Sequence, residues 1–120
     1  MELETVNAKI TGTMLGIEDH GCMTFFIHLE WGCCGQGLGG YAIDAFNRDT
    51  KERDRGHGPA IVAVRKILEV VGVDKWEKLP GQLVRLKVEG LGSARPPIIG
   101  NILEDRWFDL KEFMMNHKDN

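Results

Sequence analysis

The chain has only three cysteines, two of them adjacent at Cys33-Cys34, an odd and meagre set that excludes a disulfide framework and suits a reducing compartment. Positive charge is not in excess. Fifteen Lys+Arg stand against 18 Asp+Glu, and the net charge of -3 excludes general DNA or RNA attachment, which relies on many cations neutralising phosphates. No stretch approaches the ~20 apolar residues of a membrane span, and Met1-Glu2-Leu3-Glu4 carries neither the basic start nor the apolar run of a secretory signal. The expectation is one cytoplasmic domain of 120 residues, without membrane attachment and with a core of its own.

Catalytic and metal motifs are scarce as well. There is no G-x-S-x-G, and the only pairing of a nucleophile with a base is His28 with Cys33 or Cys34. His20, Cys22, His28, Cys33 and Cys34 lack the spacing in which paired ligands straddle a tight turn. His20 and His28 would lie about 26 Å apart along an extended strand, so no metal site is expected.

What the chain does have is glycine in one place. Gly32-Cys33-Cys34-Gly35-Gln36-Gly37-Leu38-Gly39-Gly40 holds five glycines in nine positions between two hydrophobic segments, which reads as a loop whose amides another molecule can approach. Such amides can cradle phosphate, but the Lys-Ser/Thr ending of a nucleotide-triphosphate loop is missing and no long helix follows. A plain hairpin loop and a ligand-holding or subunit-contacting loop both remain open.

Around this stretch the pattern predicts an α+β fold: a mainly antiparallel sheet of about five strands, one principal helix and a short C-terminal helix. The strands are expected at Thr5–Leu15, Cys22–Trp31, Tyr41–Phe46, Gln82–Glu89 and Ile98–Leu103. In the second, Met23, Phe25, Ile27, Leu29 and Trp31 form the core face, and Cys22, Thr24, Phe26, His28 and Glu30 the other. Residues from Asn47 to His57 are charged throughout and predict an exposed, mobile connection. Pro59 opens the helix, Ile61, Val64, Ile67, Leu68 and Val71 give its apolar spacing, and Gly72 ends it. A short helical turn is expected after Asp74, a hairpin-like connection over Gly90–Pro97, a short amphipathic helix toward Met114, and fraying from Asn116. The arginines available as guanidinium forks are Arg53, Arg55, Arg85, Arg95 and Arg106.

Several blocks together resemble a known family. His28-Leu29-Glu30-Trp31-Gly32, Gly35-Gln36-Gly37-Leu38-Gly39-Gly40-Tyr41, Val73-Asp74-Lys75-Trp76-Glu77-Lys78-Leu79-Pro80-Gly81, Ile99-Gly100-Asn101-Ile102 and Trp107-Phe108-Asp109 look like the first class of phage Thoeris anti-defence proteins, in the same order from about Ile10 to Phe113. The resemblance implies a sponge without catalysis or cofactor, which sequesters the cyclic ADP-ribose isomer of Thoeris TIR enzymes in the cytoplasm of an infected bacterium. Family members are similar in being homo-oligomers, hexamers built from dimers, with the signal held at subunit interfaces; some also take cyclic oligonucleotides of CBASS defence.

Ligand contacts on that reading are Gly35, Gln36, Gly37, Gly39, Gly40, Asn101, Arg106 and Trp107, with Arg53 or Arg55 as the arginine ahead of the helix. They supply amide and guanidinium donors, amide edges and an aromatic face, the set that a pyrophosphate, ribose and adenine require. The chain departs from the pattern at Cys33-Cys34, where small residues are usual, and from Leu91 to Pro97, which is longer and richer in proline. An enzyme cleaving such a nucleotide and a purely structural or protein-binding phage module are the alternatives.

Overall fold

Alternation of apolar and polar residues builds six of the strands into one sheet. The computed structural model describes residues 3–89 and 95–117. Strand β1 (Glu4–Ile17) is followed by β2 (Met23–Trp31), β3 (Cys34–Ala42), β4 (Asp44–Asn47) and β5 (Glu52–Gly56). Helix α1 (Gly58–Val71), a 3-10 turn (Trp76–Lys78), β6 (Leu83–Val88), β7 (Ile98–Asn101), β8 (Trp107–Phe108) and helix α2 (Leu110–Asn116) complete the order. The main sheet runs β3-β2-β1-β6-β7-β8, with every neighbouring pair antiparallel, and β4-β5 forms a separate two-stranded sheet. The fold is α+β, as the pattern predicts.

One face of the sheet carries the core. Ala8 and Ile10 of β1, Phe25, Ile27 and Leu29 of β2, Leu38 of β3, Val84 and Leu86 of β6, Ile99 of β7 and Phe108 of β8 are buried against Ala60, Ala63, Ile67, Val70 and Val71 of α1 and Leu110 and Met114 of α2. Both helices therefore lie on this face. The other face, with Phe26, His28 and Glu30 on β2 and Arg85 and Lys87 on β6, has no layer of secondary structure over it among the described residues.

The helix termini follow local chemistry. Pro59 stands in the first turn of α1, and Gly72, at φ 95, ends it while the N–H groups of Gly72 and Val73 both donate to the Leu68 carbonyl. Asp109 caps α2 by accepting from the Glu112 N–H. Glu112, in the first turn, adds a negative charge at the helix N-terminus.

Three expectations are corrected. The glycine-rich stretch is not a loop: only Gly32-Cys33 turn, with Gly32 at φ 58 in the first central position of a two-residue hairpin, and residues from Cys34 onward pair with β2 as strand β3. The strand expected over Tyr41–Phe46 is instead split, since β3 ends at Ala42 and β4 begins at Asp44. The charged Asn47–His57 stretch is a hairpin rather than an irregular connection. Its turn is held by the Asp49 N–H donating to Asn47 Oδ1 and by Thr50 donating to Asp54, and its base by Arg53 on Asp44. Polar turn chemistry does there what an apolar face does elsewhere.

Smaller differences concern ends. β1 runs past Leu15 to Ile17, the expected last strand stops at Asn101, and β8 is an additional strand. Asp74 pairs with Lys78 instead of capping the 3-10 turn. Of the expected Gly90–Pro97 connection and frayed end, residues 90–94 and 118–120 lie outside the described residues.

Candidate functional site

From Gly35 to Gly39 every second residue of β3 is a glycine, and the register explains what the spacing does. Gly35, Gly37 and Gly39 lie opposite Glu30, His28 and Phe26 on the outer face, while Cys34, Gln36 and Leu38 share the core side with Trp31, Leu29 and Ile27. Phe26 lies across the bare strand: a Cβ on Gly37 would come 3.4 Å from its ring, and one on Gly40 3.0 Å. His28 stacks near Phe26, rings 6.4 Å apart and nearly parallel, and reaches Gly12 on its other side. Aromatic side chains thus cover backbone that glycine leaves exposed.

β3 is an edge strand. In a two-residue hairpin the pair flanking the turn, Trp31 and Cys34, is hydrogen-bonded, so by alternation the N–H and C=O groups of Gly35 and Gly37 point away from β2 along the free edge. They border a depression of about 460 Å³ that also includes Thr11, His28 and Glu30. No charged residue or proline guards the strand.

At the opposite edge, Trp107 lies flat on Gly100, where a Cβ would stand 2.3 Å from the indole ring. Its Nε1 donates to Asp105 Oδ1 at 2.8 Å. Over the ring sit the Lys87 ammonium, 4.3 Å from the centroid, and the Arg85 guanidinium, 4.8 Å away. Arg85 is fixed by donating to the carbonyls of Asn101 and Glu104 at 2.7 and 2.8 Å. The ring thus holds two cations side by side, a positive patch suited to a phosphate. The sequence offers Arg85 only as one of five guanidinium forks and Lys87 not at all; their alternation with Val84 and Leu86 places them beside Trp107 once β6, β7 and β8 are known to be neighbours. Gly100→Ala should force the ring off the sheet and lower stability by about 1–3 kcal/mol in a denaturant titration.

Asn101 and Arg106, next to Trp107, are engaged within the fold. The Asn101 amide, 7% exposed, donates to the Val70 and Val71 carbonyls and accepts from the Leu103 and Glu104 N–H groups. Arg106 donates to the Glu69 carbonyl and pairs with Glu104 at 2.6 Å. Both tie the β7–β8 turn to the end of α1.

Arg53 and Arg55 stand on β5, outside the large sheet. Arg55 is exposed, whereas Arg53 donates through Nε and Nη2 to the Asp44 side chain and carbonyl at 3.0 and 2.9 Å. The Arg53 hydrogen bond holds the Asp44 carboxyl below its ordinary range. A carboxyl with a lower pKa folded than unfolded contributes stability above its unfolded pKa, about 3.9, and loses it as pH falls through the folded value. Acid should therefore weaken the β4–β5 hairpin below about pH 4, and Asp44→Asn should remove that part of the pH dependence in amide-exchange measurements.

The candidate residues thus occupy three places. From β3 to β7 is four strand spacings of about 4.8 Å, roughly 19 Å, and to β8 roughly 24 Å. The residues available to cysteine chemistry are separated too: Cys34 lies on the core side of β3, His28 on the outer side of β2, and Cys33 in the turn. Among the described residues no three His, Cys, Asp or Glu side chains converge as metal ligands. No helix among them is long and apolar enough to cross a membrane. Comparison with protein-family models, curated proteins and solved structures matches none of them to this chain.

Proposed function

We propose that this protein is a phage anti-defence sponge that binds and sequesters, without cleaving, the cyclic ADP-ribose isomer of Thoeris immunity, in the cytoplasm of the infected cell. The reading rests on the sequence resemblance. The structural observation that supports it best is the division of the recognition groups between opposite edges of one uncovered sheet face: Trp107 under Arg85 and Lys87 on one side, glycine amides on the other. A small cyclic nucleotide does not span roughly 24 Å, so both sets meet one ligand only when two copies bring unlike edges together. Exposed Ile17, Ile61 and Leu83 favour such self-association, with a hexamer the form that the resemblance implies.

Arg85 and Lys87, held on the Trp107 ring, then meet the pyrophosphate, and the Gly35 and Gly37 amides of a neighbouring copy hold its other side. Gln36, Gly39, Gly40, Asn101 and Arg106 shape the two edges. Isothermal titration with the cyclic ADP-ribose product of a Thoeris TIR enzyme, followed by heat release and chromatography, tests this. Tight binding with intact ligand recovered is the expected result, and Trp107→Ala should weaken it about tenfold, through loss of the ring that holds the two cations. Return of a cleaved product would make the protein an enzyme. No heat with this ligand or with cyclic oligonucleotides would leave a protein-binding module.

A further inference from the structure

An apolar concavity lies where the end of β3 meets β4, β5 and α2. An open depression of about 480 Å³, it is lined by Tyr41 and Ala42 at the end of β3, Ala45 and Phe46 on β4, and Met114 and Met115 on α2, with His57 at the start of α1. Its walls are suited to a flat, adaptable contact, since methionine side chains reshape easily around a ring. Asp44 and Arg53 form its polar corner, and they neutralise one another at 2.9 Å.

The hydrogen-bond inventory of that corner is incomplete in a particular way. Arg53 uses Nε and Nη2 on Asp44, leaving Nη1 without a partner among the described residues; Asp44 takes all its contacts on Oδ1 and its main-chain oxygen, leaving Oδ2. The Tyr41 hydroxyl and the His57 ring also lack hydrogen-bond partners among the described residues. Burial, and secondarily Asp109, keep the Tyr41 phenol protonated well past neutrality, so it remains a donor. An apolar cavity with a few convergent polar groups is the usual form of a small-molecule site. Here the groups offer donors beside an acceptor and no net charge.

We propose that this cavity binds an uncharged, planar heteroaromatic ring of nucleobase size, inserted between Phe46 and the Met114–Met115 pair with its donor-acceptor edge on Arg53, Asp44 and Tyr41. The ring's carbonyl or ring nitrogen accepts from Arg53 Nη1 or the Tyr41 hydroxyl, and its amino or N–H group donates to Asp44 Oδ2. A charged ligand gains nothing from a neutralised pair, and a hydrocarbon leaves these groups unpaired. The site is separate from Trp107 and the glycine edge and does not depend on the sponge reading.

Methionine methyl NMR provides the test, because Met114 and Met115 line the cavity whereas Met14 lies on the outer sheet face. Titration of the intact protein with adenosine and guanosine, which carry no phosphate, should shift the Met114 and Met115 methyl signals and leave Met14 unmoved. Ala45→Phe should abolish the shifts by filling the cavity. Tyr41→Phe, which preserves packing, should weaken binding roughly threefold to tenfold, the loss of one hydrogen bond. Absence of shifts in the folded wild-type protein up to the solubility limit overturns the proposal. So does a response to toluene but to neither nucleoside, or shifts that appear on concentrating the protein alone, which would seat a second copy there. None of these outcomes touches the sponge test, whose ligand and key residue differ.

Discussion

Replacing Gly39 with alanine should lower stability by about 3 kcal/mol or more, enough to unfold much of the population of a marginal domain. Gly39 has φ 133, where an L side chain is strained, and its Cβ would lie 2.3 Å from the Phe25 carbonyl oxygen. That oxygen is main chain in the most buried part of β2 and cannot swing aside. Gly35→Ala is the internal comparison, because its Cβ would meet nothing nearer than 3.6 Å and its φ is ordinary. It should change stability by less than about 1 kcal/mol. Guanidinium titrations of the two variants check this, and equal effects would contradict the placement of this segment as a strand bulged at its glycines.

Asn101→Ala should cost about 2–4 kcal/mol. The side chain satisfies two carbonyls at the end of α1, Val70 at 2.9 Å and Val71 at 3.3 Å, and two N–H groups of the β7–β8 turn, both at 2.9 Å. Truncation leaves all four without that partner in a buried setting. Asn101→Asp should be no better, since a carboxylate cannot donate and would face helix C-terminal carbonyls. Denaturant midpoints give the answer. A loss below about 1 kcal/mol, with ligand affinity alone reduced, would mean that the amide serves the ligand and not the fold.

The sequence announces the core layer clearly. Phe25, Ile27 and Leu29 alternate and Val84 and Leu86 alternate, so strands buried on one face were legible, and Pro59 and Gly72 marked the ends of α1. Its buried face, however, is Ala60, Ala63, Ile67, Val70 and Val71, and Ile61, expected on it, is exposed because alanines let the helix pack close to the sheet. The glycine stretch misleads because composition outweighs position: glycine density signals a loop, whereas glycine at every second place signals a strand with one bare face. Reading Gly35, Gly37 and Gly39 against Phe26 and His28 would have shown it. The β4–β5 hairpin hides for the opposite reason, since Asp44 and Arg53 lie nine residues apart and their bridge has no periodic trace.

The site is less legible than the fold. Trp107 is a visible candidate, but the Arg85–Lys87–Trp107 cluster exists only through the strand order β6-β7-β8. Asn101 and Arg106 look like ligand groups in the sequence because the sequence does not show the helix end that occupies them. Strand order likewise separates the glycines from Trp107, which no local pattern reveals.

Sedimentation velocity with the cyclic ADP-ribose isomer, followed by its own absorbance across a protein dilution series, tests the composite-site account most directly. The account predicts that nucleotide sediments only with species of at least twice the 13.5 kDa protomer mass, is recovered unaltered, and is released as the oligomer dissociates. Nucleotide that travels with the lone protomer at undiminished affinity would contradict it.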